Sequence, residues 1–138
     1  MERNVAVVFT GKSVNKILEM GGTASWRLNR NHAGRCTYVV CSRNSKPKYG
    51  EGGGTHGSAF LVGKVKSVVE VVKPGRDGRR SRYCIEMSEY AHVDVPHVWN
   101  GERNPVKYVA TLQELGIEPD TLQWEPMPER NNAKAASD

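Results

Sequence analysis

Long apolar runs are missing from this 138-residue sequence. No stretch approaches the roughly 20 apolar residues that a membrane-spanning helix needs, and the N-terminal segment MERNVAVVF lacks the basic region and unbroken apolar stretch of a signal peptide. We therefore expect a cytoplasmic protein that does not contact membranes. Hydrophobic residues make up 38% and charged residues 25%, which is typical of a globular rather than a disordered chain.

Cysteine is scarce, and its spacing excludes the usual roles. The 3 cysteines, Cys36, Cys41 and Cys84, are odd in number and include no CxxC pair. The four histidines do not fall at metal-ligand spacing with them. We expect reduced, mostly buried thiols and neither a metal nor a cofactor.

Nucleotide-binding and nucleophile motifs are also lacking. The GKS triplet at 11–13 has no glycine five residues before Lys12, and the glycine-rich stretch 50–57 precedes a predicted strand instead of a helix. Both observations exclude a phosphate-binding loop of the nucleoside-triphosphatase type. No serine lies in a GxSxG elbow, so nothing in the residues demands an enzyme.

The positive charge is concentrated early in the chain. Residues 11–48 carry eight Lys or Arg and one Glu, whereas residues 83–138 carry four Lys or Arg and ten acids. If the early residues share a face, this asymmetry favours a polyanionic partner such as nucleic acid. The alternative is a solvated surface that is merely uneven.

Apolar patterning predicts a small α+β domain over residues 1–128, with a frayed tail over 129–138. Strands are predicted at Val5–Phe9, Arg35–Ser42, Ser58–Val72 and from Tyr83 toward Trp99. A short helix is expected between its cap Ser13 and Gly21, a capping box joins Thr111 to Glu114, and a last strand includes Leu122 and Trp124. Gly63 predicts a bulge or bend, and residues 43–57 and 73–80 are predicted loops. The expected architecture is a bent, mostly antiparallel β-barrel with short flanking helices.

Two segments combine the side chains that a nucleic-acid base requires. Trp26 lies among Thr23, Ser25, Arg27 and Asn29, and the third predicted element, the strand 35–42, ends in Ser42, Arg43 and Asn44. An aromatic face can stack on a base, hydroxyl and amide groups can bond its edge, and cations can bind phosphate. Alternatively, Trp26 anchors the short helix to the sheet.

The order SWRLN, YVVCSRN, HGSAFLVGKV and VWNGERNPVKY resembles the layout of YTH and EVE domains of the PUA-like group. The similarity covers roughly residues 13–111. It implies a PUA-like barrel whose aromatic pocket holds an unpaired or extruded base that is modified, such as a methylated adenine or cytosine, in RNA or DNA. Where YTH domains carry a second tryptophan, this chain has Met87, with Tyr90 as the nearest aromatic residue.

The residues and the resemblance together predict one site. The base-binding residues are Trp26, Thr23, Ser25, Asn29, Ser42, Asn44, Met87, Tyr90, Trp99 and Asn104. The phosphate-binding residues are Arg27, Arg43, Lys46, Lys48 and Arg103. Trp99 fits a structural anchor equally well.

The alternative function is that of a small amidohydrolase acting on an acylated nucleoside, as in some ASCH domains, which share this early layout. Such enzymes use a lysine, a threonine three residues later and a glutamate. Thr23 matches the threonine, but Met20 stands at the lysine position. Lys16 or Lys12 would have to supply the amine and Glu86 the acid.

Overall fold

The structure is a computed structural model that describes residues 3–46, 55–71 and 82–128. Within these ranges, the chain forms β1 (Val5–Thr10), α1 (Val14–Met20), β2 (Gly22–Trp26), α2 (Arg30–Gly34), β3 (Tyr38–Arg43), β4 (Ala59–Val71), β5 (Arg82–Val95), β6 (Val106–Val109) and β7 (Glu125–Pro126). Short 3₁₀ turns lie at Gln113–Leu115 and Pro119–Thr121. The predicted loop 73–80 and the tail 129–138 lie outside the described residues, as does Lys48. No helix in the described ranges is long and apolar enough to cross a membrane.

The strands form one mixed sheet in the order β2-β5-β4-β3-β1-β6, with β7 paired to β5. The pair β1–β3 is parallel, and the other pairs are antiparallel. The path begins at β2 and ends at β6, and no pairing in the described chain joins these two strands. The prediction of α+β structure is therefore confirmed, but the prediction of a closed barrel is wrong: the sheet is open.

Alternation along the strands sends side chains into two separate cores, one on each face of the sheet. The helix-side core contains Ala6, Val8, Ile17, Ala33, Cys36, Val39, Cys41, Leu61, Val68, Ile85, Met87, Tyr90 and Val106. The tail-side core contains Val5, Val7, Val40, Ala59, Val62, Val98, Trp99, Leu112 and Ile117. Because both faces are covered, the central strand β1 is apolar at successive positions instead of alternating apolar and polar.

Capping side chains set the bounds of the helices. Ser13 accepts a hydrogen bond from the Lys16 amide, and Gly21 ends α1 in the left-handed conformation with φ 78°, so the predicted helix is confirmed. Asn29 caps α2 by accepting from the His32 amide at 2.9 Å. The sequence pattern indicated a turn for this second segment, because its five residues carry too little apolar periodicity to indicate a helix.

Candidate functional site

Trp26 ends β2 with its indole half-exposed against the helix-side core. Its Nε1 donates a hydrogen bond to Oγ1 of Thr23 at 3.0 Å. The two residues are brought together by a register shift between them in the pairing with β5. One edge of the indole is thus fixed to a residue that is 1% exposed, while Trp26 itself is only partly buried.

Thr23 also lies beside Cys41 of β3. Burial raises the pKa of the Cys41 thiol to about 12, and the charge of Arg43 and a hydrogen bond with the Thr23 side chain act in the opposite direction. In the sheet, β5 and β4 lie between β2 and β3. Cys41, Trp26 and Phe60, the ring under Arg43, all pack in the helix-side core, so the sheet curves enough to bring Trp26, Thr23, Cys41 and Arg43 to this side.

Arg43, a predicted phosphate contact, is only 2% exposed. Its Nη1 donates to the carbonyl oxygen of Lys12 at 2.6 Å and to that of Thr10 at 3.4 Å. Its Cζ lies 3.8 Å from the centroid of the Phe60 ring. The buried Nε has no hydrogen-bond partner among the described residues, and burial lowers the pKa of the guanidinium. Arg43 therefore joins β3 to the turn before α1 instead of extending into solvent.

Ser42 and Asn44 flank Arg43, and the Ser42 hydroxyl and the Asn44 side-chain oxygen are already bonded to the main chain. Ser42 is completely buried, and its Oγ donates to the carbonyl oxygen of Val8 at 2.7 Å. The half-buried Asn44 accepts from the Lys46 amide through Oδ1 at 3.2 Å. In this arrangement, the hydroxyl of Ser42 is not available to the edge of a base.

Met87 and Tyr90, the predicted walls from β5, belong to the helix-side core. Met87 is 3% exposed and fills the space above Gly63, where an added Cβ would strike its sulfur atom. Tyr90 is 9% exposed, and its hydroxyl donates to Oε1 of Glu125 at 3.2 Å. Both side chains serve packing in the observed structure.

Trp99 lies in the tail-side core, on the other face of the sheet from Trp26. Its ring stacks on Phe9 with a centroid distance of 5.0 Å and an interplanar angle of 2°. Lys107 Nζ lies 4.8 Å from the centroid of the indole. Of the two roles predicted for Trp99, its burial matches the structural anchor. Asn104, which accepts from the Val106 amide, and the exposed Arg103 precede β6, which is at the opposite end of the strand order from β2.

The other predicted site residues are distributed around the helix side. Arg27 directly follows Trp26 and is exposed, and Lys46 is exposed beyond the end of β3. The side chain of Asn29 is used as the cap of α2, and Ser25 lies in β2 next to Trp26. The basic residues Arg27 and Lys46 remain predictions as phosphate contacts.

Sequence reasoning missed Phe60 and the turn from Thr10 to Lys12 as parts of this cluster. Phe60 is a half-buried aromatic residue at the start of a valine-rich strand, a signal that could have been noticed. The turn carries no comparable signal, because its GKS triplet lacks the spacing of a phosphate loop and matches no other motif. No group of three or more possible metal ligands occurs among the described residues.

Comparisons of the chain with protein-family models, with curated proteins and with solved structures found no significant match. The arrangement of side chains around Trp26 is therefore the basis for a functional proposal.

Proposed function

We propose that this protein binds nucleic acid and stacks one unpaired base on the indole of Trp26. The observation that supports the proposal is a half-buried tryptophan whose indole is fixed along one edge by Thr23 at 3.0 Å, within a segment of net positive charge. Residues 11–37 carry α1, β2 and α2, and they include five Lys or Arg and one Glu. A rigid aromatic face beside positive charge is the combination that single-stranded nucleic acid requires.

Stacking supplies affinity without strict sequence preference. A base stacked on an aromatic side chain contributes roughly 1–3 kcal/mol. The hydrogen bond to Thr23 holds the indole in place before binding, so less side-chain freedom is lost on association. Arg27, adjacent to Trp26, and Lys46 would supply charge for the neighbouring phosphates.

The proposed domain type is PUA-like, as in YTH and EVE domains. The contact of Thr23 with Cys41 across two intervening strands supports this assignment, because it needs a strongly curled sheet. A methyl group on the bound base would be recognised by apolar walls. Met87 and Tyr90 are buried in the helix-side core and do not form open walls for a methyl group. We therefore propose binding of an unpaired base, and preference for a methylated base is tested separately by titration.

The amidohydrolase alternative gains no support from the geometry. The Thr23 hydroxyl is buried and accepts the indole hydrogen bond. Lys16 is exposed on α1, and Oε1 of Glu86 accepts a hydrogen bond from Ser67 at 2.8 Å. These groups are not arranged as a nucleophile with an activating base. Incubation with an acylated nucleoside should release no product.

Tryptophan fluorescence tests the proposal directly. Trp99→Phe and Trp124→Phe leave Trp26 as the one indole among the 3 in the sequence. We expect short single-stranded RNA or DNA to quench its emission in a saturable way, and double-stranded oligonucleotides of the same sequence to do so less. Parallel titrations with methylated and unmethylated adenine and cytosine, as oligonucleotides and as free nucleosides, would define the base. Unchanged emission with every oligonucleotide would refute the proposal.

A matched pair of variants checks the role of the ring. Trp26→Ala should weaken binding by about 5- to 150-fold, since the stacking energy is lost. Trp124→Ala removes an equally large, half-buried indole that stacks on Tyr38 and packs against the tail-side core. It should leave affinity nearly unchanged.

A further inference from the structure

The turn between β1 and α1 is held by hydrogen bonds at both ends of Lys12. The Lys12 amide donates to Oγ1 of Thr10 at 3.1 Å, and the Lys12 carbonyl accepts from Arg43 at 2.6 Å. The Asn44 amide adds a bond to the Thr10 carbonyl at 2.9 Å. The backbone of Lys12 is therefore fixed on both sides. A three-residue turn that only connected β1 to α1 would not need this many hydrogen bonds.

The side chain that restrains this turn is a buried cation, Arg43. Arg43 is 98% buried, and in the described part of the chain no carboxylate forms an ion pair with it. Burying a cation without a counter-charge is costly, and a neutral donor could bond the same carbonyl. Carbonyl oxygens and the Phe60 ring offset part of this cost. What remains is a positive potential at the turn, next to the half-buried Lys12, which also has no acidic partner among the described residues.

Two neighbouring cations without a carboxylate favour an anion at this place. The turn is also connected to the candidate site. Lys12 bonds to Arg43, Arg43 lies beside Cys41, Cys41 lies beside Thr23, and Thr23 holds Trp26. The turn also leads directly into α1, and Val14 at the start of α1 packs against the same helix-side core as Trp26, so we assign an anion bound at the turn and a base on the indole to one ligand.

We propose that Lys12 is a phosphate-binding residue of this site and that the buried Arg43 is its positioning residue. The inference rests on the proposed nucleic-acid function. It assigns to Arg43 a role different from that of a direct phosphate contact, and it adds Lys12, which the sequence patterns did not select as a phosphate contact.

The salt dependence of binding distinguishes these roles. Each phosphate contact to a single strand contributes about 0.7 to the slope of log affinity against log salt concentration. For binding of single-stranded oligo(U) and oligo(dT), we expect Lys12→Gln to reduce the slope by about that amount. Lys66→Gln removes the same charge from an exposed position on β4 and should leave the slope unchanged.

The double variant Lys12→Gln/Arg43→Gln tests the positioning role. If Arg43 acts through Lys12, the double variant loses one phosphate contact, and its slope falls by about 0.7, as in Lys12→Gln alone. A fall of about 1.4 would mean that Arg43 binds a second phosphate itself, which would overturn its positioning role. In Arg43→Gln without ligand, amide exchange at Lys12 and Asn44 should accelerate while the amides of β1 and β3 remain protected.

The remaining outcomes separate this inference from the function on which it rests. If the wild-type protein binds oligonucleotide with an affinity that depends on Trp26, but Lys12→Gln and Lys66→Gln show equal slopes, the role of Lys12 is refuted and the function stands. If no oligonucleotide binds the wild-type protein, both fall. Because Lys12 lies in a surface turn, its variant remains informative even if Arg43→Gln fails to fold.

Discussion

Cys41 has no exposed surface, and its ionisation is therefore coupled to folding. Burial raises the pKa of its thiol from 9.0 to about 12, so the unfolded chain releases this proton at a lower pH than the folded one. The stabilising effect is complete below pH 9 and is lost as the pH rises toward 12. Between pH 8.5 and 10.5, the wild-type free energy of unfolding should fall by about 2 kcal/mol more than that of Cys41→Ala.

Denaturant titrations at the two pH values measure this difference. Val39→Ala is the control, because it removes buried methyl groups from the same strand and the same core without removing a titrating group. It should lower stability equally at both pH values. Equal pH dependence in Cys41→Ala and the wild-type protein would show that the thiol does not carry the effect.

At the scale of elements, β2 depends on close contact with β5. A Cβ on Gly22 would collide with the carbonyl of Ile85 and lie 2.7 Å from Cα of Glu86. These are backbone atoms, so Gly22→Ala must push the two strands apart, at an expected cost of about 1–3 kcal/mol. Because Trp26 ends the same strand, oligonucleotide binding should weaken as well.

Gly34→Ala provides the comparison for Gly22→Ala. Gly34 ends α2, and a Cβ added there would meet nothing within 4 Å. The change should stabilise the protein slightly, by about 0.4–1 kcal/mol, by reducing the freedom of the unfolded chain. Denaturant unfolding measures both variants, and equal effects would contradict the tight β2–β5 contact.

Elements with strong local signals could be predicted from the sequence, whereas those formed by distant partners could not. The strand beginning at Val5 and the cap at Ser13 were predicted and are present. The predicted capping box forms only in part: Thr111 accepts from the Glu114 amide, but Glu114 accepts from the amide of Ala110 instead of Thr111, and the 3₁₀ turn begins after Leu112. In contrast, β2 and β6 are short and gain their hydrogen bonds from β5 and β1. Pairing over such separations leaves little trace in a local pattern.

In the candidate site, too, some residues could be predicted from the local sequence and others could not. The polar and basic residues around Trp26 predicted a base-binding role for its ring, and Thr23, predicted for the same site, is its hydrogen-bond partner. The burial of Arg43 could not be predicted, because it requires carbonyl groups 31 and 33 residues away and the ring of Phe60. The resemblance placed Met87 in a pocket, but this side chain fills the space above Gly63 instead.

At the scale of the whole molecule, the two faces of the sheet are covered by segments of opposite charge. Residues 11–37, which include α1 and α2, carry five Lys or Arg and one Glu. Residues 93–128, which supply much of the tail-side core, carry two Lys or Arg and six acids. A polyanion should therefore approach the helix side and be repelled from the tail side.

Two charge-reversal variants with the same net charge test this orientation. Arg27→Glu/Arg30→Glu alters two exposed residues of the helix side, and Lys66→Glu/Arg103→Glu alters two exposed residues elsewhere. Both variants change the net charge by the same amount. We expect the first to slow association with single-stranded oligonucleotide at low salt by about tenfold or more, and the second to have a much smaller effect, because steering depends on where the charges lie. Stopped-flow fluorescence at several salt concentrations measures these rates. Equal slowing by both variants would mean that net charge alone attracts the ligand, and the assignment of the helix side as the nucleic-acid-binding face would then be lost.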